Sequence, residues 1–163
     1  MIYRIFLVAP AALLFSFAAL ADTMPPASAR LIQEVYADGV QIYSCEAKEQ
    51  GAAWVFKSPE ASLTNAQGQV VGTHFAGPTW KNIDGSQVVG EVIAKENAPA
   101  AGDIPWLLLK AKSHEGSGAW SQVAFVRRTA TSGGVASKDG CDADRIGQQL
   151  RAPYKATYQF FGE

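Results

Sequence analysis

Turn signals recur along this chain at spacings that leave room for little but short strands. Asn65-Ala66-Gln67-Gly68, Gly77-Pro78, Asp84-Gly85 and the Ser113–Gly118 stretch separate segments rich in β-forming residues. Proline presets φ and glycine accepts positive φ, so each signal has a mechanism. Asp84-Gly85, flanked by Trp80–Ile83 and Gln87–Val92, is the strongest hairpin signal. Upstream, VQIYSC from Val40 alternates apolar and polar positions, and AAWVF follows. Trp106–Leu109 is a continuous apolar run that fits a strand buried on both faces. SQVAFVRR alternates with Val123, Phe125 and Arg127 on one face, and Thr129–Gly140 reads as a long loop. Tyr154, Ala156, Tyr158 and Phe160 alternate along a C-terminal strand. Helical periodicity is scarce: Ser28–Val35 and Asp142–Leu150 have room for a turn or two each, with Asp142 or Asp144 as N-cap. About eight short strands predict an all-β, single-domain antiparallel sandwich or barrel built of meander hairpins. A short echo, Gln69-Val70-Val71-Gly72 repeated as Gln87-Val88-Val89-Gly90, fits successive hairpin arms.

The first residues bear on compartment. Arg4, the apolar run Ile5–Leu20 and Ala19-Leu20-Ala21 read as a signal peptide over 1–21. The run is interrupted by Pro10 and is shorter than the roughly 20 residues of a spanning helix. Residues 22–38, Pro-rich at Pro25-Pro26, are expected to be a loose leader, and 39–163 the all-β domain. Losing Arg4 from the 14 basic residues, against 15 acidic ones, leaves a net charge of −2. No basic run suggests nucleic acid, and no segment after the signal suggests a transmembrane span. The expected location is the periplasm or the medium. There Cys45 and Cys141 are most simply a disulfide.

No motif assigns a reaction. A GxSxG elbow is missing, and GSGAWS from Gly116 lacks the third glycine of a dinucleotide site. Glu60, Asp84, Glu91, Asp103, Asp142 and Asp144 supply carboxylates without a cleft to pair them. His74, His114, Asp84 and Asp103 lack the close spacing of zinc ligands, so neither metal nor cofactor is expected. Trp80, between two turns, and Trp120, just past Ser113–Gly118, are better surface candidates than Trp54 and Trp106. The candidate ligand-binding residues are therefore His74, Trp80, Asp84, Ser86 and Trp120. His74 and Trp80 lead, because arms joined at Gly77-Pro78 bring them to one face. The expected function is non-catalytic binding, of a small molecule or glycan, or an envelope-associated role. A small hydrolase-like enzyme using His74 and Asp84 and a purely structural or stress-related protein are the alternatives.

Several blocks, in order, carry a family pattern: WVFKSPEASL, VGTHFAGPTW, DGSQVVGEV, IPWLLLKAKS, TSGGVASKDGC and PYKATYQFF. Together they resemble the domain-of-unknown-function family numbered 3455, exported proteins of bacteria and fungi. The family pattern includes counterparts of Cys45, Cys141, His74, Trp80 and Asp84–Ser86. The resemblance implies an all-β exported domain and carries no catalytic role. Some fungal relatives bear a malate dehydrogenase label, which the missing nucleotide fingerprint gives no ground to transfer.

Overall fold

The computed structural model describes residues 23–163, so the expected signal peptide lies outside the described residues. Eight strands follow one another: β1 (Arg30–Lys48), β2 (Gly51–Thr64), β3 (Val70–Phe75), β4 (Thr79–Asn82), β5 (Gln87–Glu96), β6 (Trp106–Glu115), β7 (Phe125–Gly133) and β8 (Gln149–Gly162). Each pairs antiparallel with the next, and β8 returns to pair with β1, closing a barrel without edges. The Asn65–Gly68 and Asp84-Gly85 turns are where the sequence puts them, whereas the first three residues of the expected Ser113–Gly118 turn extend β6. Asn65 Oδ1 accepts from the amides of Gln67 and Gln69, and Gly85 donates to Asn82 across the β4–β5 turn. Among the described residues no helix is long and apolar enough to cross a membrane.

Alternation places one face of every strand inside. On β8 the inward set is Tyr154, Ala156, Tyr158 and Phe160, all buried, as the sequence predicts. Leu108 and Leu109, consecutive and so on opposite faces, are both buried, which bears out a strand covered on both sides. Asp142 caps a single 3-10 turn at Ala143–Arg145 through the Asp144 amide. A disulfide joins Cys45 to Cys141, with Cα atoms 5.4 Å apart, and fastens the β7–β8 connection to β1.

Three local expectations change. Strand β1 begins at Arg30, not near Val40, so residues 30–38 are ladder rather than leader or helical turn. The partner that recruits them is β8, more than a hundred residues away: Val35 pairs with Tyr158 and Ala37 with Ala156. On β7 the inward residues are Val126 and Arg128, not Phe125 and Arg127. An irregular approach shifts the phase, since Val123 is buried before the strand begins. The start of the expected Thr129–Gly140 loop continues β7 through a bulge between Thr129 and Ser132. That bulge turns Thr131 inward, where its hydroxyl donates to the Ile104 carbonyl at 2.7 Å.

Candidate functional site

An eight-stranded barrel has an interior just wide enough for side chains or one small ligand. This one divides between the two uses. At one end a column of rings fills it. Trp120 stacks on Phe160 with centroids 4.4 Å apart, and Phe160 meets the edge of Trp80 at 6.2 Å. Trp80 stacks on His74 at 4.5 Å with their planes 6° apart, and Tyr158 sits edge-on to both. The two tryptophans fit because the strands give way to them. A Cβ on Gly90 would lie 3.1 Å from the Trp80 ring, and one on Gly72 would lie 2.9 Å from Trp120 and 2.5 Å from the Lys81 carbonyl oxygen. The repeated Gln-Val-Val-Gly thus marks two slots, each receiving an indole.

Trp80 and Trp120 are 1% and 0% exposed, while Trp54 and Trp106 are only half-buried. The expected contrast between surface and core tryptophans is therefore reversed, and neither Trp80 nor Trp120 offers a surface platform.

Beyond the column lies a cavity of about 590 Å³, within the range of small-molecule sites. His74, Trp80 and Tyr158 form its floor, aliphatic side chains including Leu107 and Leu109 its wall, and Phe56, Val92, Pro78 and Pro105 stand toward the mouth. His74 pairs directly with Trp80 across the β3–β4 hairpin. Its Nδ1 lies 2.8 Å from the Thr79 carbonyl oxygen, which can only accept, so Nδ1 carries the proton and Nε2 the lone pair. Burial pushes the His74 pKa down to about 3, helped by the Arg128 charge and opposed by the Thr79 hydrogen bond. The imidazole is neutral at ordinary pH.

The remaining candidates converge at the opposite end of the barrel. Asp84 Oδ1 accepts from the Ser86 amide at 2.8 Å and its hydroxyl at 2.6 Å, and Oδ2 accepts from the Ala119 amide at 2.8 Å. The Ser86 hydroxyl contact, followed by the two amides, holds the Asp84 carboxyl below its usual pKa. Ser86 Oγ in turn accepts from the Trp120 amide at 3.1 Å, and Trp120 Nε1 donates to Gln33 at 2.7 Å. Asp84, Ser86 and Trp120 thus form a latch that seats the indole as a plug. Both Asp84 oxygens and His74 Nδ1 are engaged elsewhere, and no hydrogen bond joins His74 to Asp84.

Ser86→Ala leaves the buried Trp120 amide without its acceptor. It is expected to cost about 1–3 kcal/mol, read as a fall of roughly 3–10 °C in Tm by calorimetry.

Reading the sequence alone missed Arg128, Tyr158 and Gln41 as site residues. All three line the cavity. Tyr158 was visible as an inward aromatic of β8. Arg128 was hidden by the phase shift in β7, and Gln41 by its place in an ordinary alternating strand.

A family model described as "Protein of unknown function (DUF3455)" matches residues 25–162. No curated protein and no solved structure matches the chain.

Proposed function

The chain belongs to the DUF3455 family, whose description assigns no activity, and from the geometry of its barrel we propose that it binds a small, largely apolar molecule without transforming it. The observation that carries this reading is the cavity itself. Its floor is a flat aromatic wall, its sides are largely aliphatic, and no carboxylate is among its lining residues. A ligand that enters it buries its body against the rings and the aliphatic side chains. The Cys45–Cys141 disulfide supports work in an oxidising compartment, the periplasm or the medium.

The test is a fluorescence titration with N-phenyl-1-naphthylamine, a neutral apolar probe that brightens on leaving water. The expected result is saturable binding of one probe per chain. Leu107→Trp, which fills the cavity from its wall, is expected to weaken binding about tenfold or more, equivalent to about 1.4 kcal/mol, with the Tm maintained. Absence of saturable binding, or binding that Leu107→Trp leaves untouched, sinks the reading.

A further inference from the structure

Arg128 is the residue that the packing of the barrel does not explain. It pairs with Leu107 on β6 and Tyr158 on β8, both cavity-lining, and lies two residues from the inward Val126. It therefore projects into the barrel. Its Nε donates to the Pro105 carbonyl at 3.0 Å and the Tyr158 hydroxyl is within its hydrogen-bonding reach, yet no ion pair among the described residues balances its charge. The charge is felt throughout the site. It pulls down the pKa of His74, which burial already lowers, and opposes the burial-driven rise at Tyr43, Tyr154 and Tyr158.

No carboxylate lines the cavity. Of the other cations there, Lys57 is paired with Glu46, whereas Lys95 has no ion pair among the described residues. The other polar side chains of the lining, among them Gln41, Tyr43 and Tyr158, supply no negative charge. An inward guanidinium without a counter-charge is costly unless something supplies one.

We propose that the ligand is an amphipathic acid, its carboxylate held by the Arg128 guanidinium and its apolar body laid against the His74–Trp80 wall. This rests on the reading of the barrel as a binding cavity. The planar fork of Arg128 matches a carboxylate with two parallel hydrogen bonds, which an ammonium does not.

The test uses three matched ligands, decanoate, decanol and decylamine, displacing N-phenyl-1-naphthylamine at pH 7. Decanoate is expected to bind about tenfold tighter than decanol, the difference between a charge-assisted and a neutral hydrogen bond, with decylamine weakest. Arg128→Met should bring decanoate to the level of decanol while the neutral probe binds as before, and Arg128→Lys should keep part of the preference. Lys95→Met should change little.

A wild-type protein that binds decanol as well as decanoate overturns the proposal, and this comparison needs no variant to fold. So does a decanoate preference that survives Arg128→Met. Failure of the neutral probe itself would instead sink the binding reading.

Discussion

Acidification from pH 6.5 to pH 4 is expected to destabilise the folded chain by about 3 kcal/mol through His74 alone, at about 1.4 kcal/mol per pH unit. The unfolded imidazole takes its proton near 6.5, while the folded one resists until about 3. Throughout that interval the unfolded state binds one more proton, so stability rises with pH and is complete above 6.5. The carboxylates lowered in the fold, Glu46 and Asp84, contribute in the same direction. Their loss belongs mainly below about pH 4, the usual carboxylate range, so the interval above it is the signature of His74. In thermal unfolding the change corresponds to roughly 10 °C in Tm for a chain of this size. His74→Phe keeps a flat ring against Trp80 but cannot take a proton. Its stability at neutral pH will differ, because the Thr79 carbonyl loses a donor, yet its profile from 6.5 to 4.5 should be flat. A wild-type profile that is itself flat over that interval would show that the imidazole is not held neutral.

Replacing both cysteines with alanine is the second large effect expected. Cys45 and Cys141 are 96 residues apart, and a loop of that size stabilises by about 4–5 kcal/mol in the chain-entropy model. The Tm should fall by roughly 10–20 °C on that account. The folded geometry around the bridge is held independently. Cys45 and Gln148 share a backbone hydrogen bond, Gly147 donates to the Cys45 carbonyl, and Trp54 Nε1 donates to the Asp139 carbonyl at 3.1 Å. Tyr43, at the cavity, donates to the Gly134 carbonyl at 2.7 Å. The variant should therefore unfold more easily while keeping its barrel and its probe binding at low temperature. A variant Tm within a few degrees of the oxidised wild type would contradict this.

The parts of this fold that the sequence announces are those whose cause is local. Asp84-Gly85 and Asn65–Gly68 are turns because of their own residues, and the inward set of β8 follows from strict alternation. The pairing of His74 with Trp80 follows from a hairpin hinged at Gly77-Pro78. What stayed hidden depends on partners distant in the chain. Residues 30–38 become strand only because β8 closes the barrel there, and Ser86 meets Trp120 through a loop 34 residues on. Trp80 and Trp120 ranked above Trp54 and Trp106 as surface candidates because they sit beside turns. Their burial depends on Gly72 and Gly90, whose role shows only when the rings are in place. Arg128 required the phase of β7, which one irregular approach inverted. The candidate set thus separates into His74 and Trp80 at a cavity and Asp84, Ser86 and Trp120 in the latch that closes the other end.

The four tryptophans give a direct reading of where a ligand sits, since each contributes one indole N–H signal in a nitrogen–proton correlation spectrum. Trp80 lines the cavity floor, whereas Trp120 Nε1 is held by Gln33 at the closed end. With signals assigned by single Trp→Phe variants, titration with decanoate should move the Trp80 indole and the His74 ring resonances and leave the Trp120 indole in place. A spectrum in which Trp80 stays fixed while decanoate binds would put the ligand elsewhere on the barrel and contradict the cavity as the site.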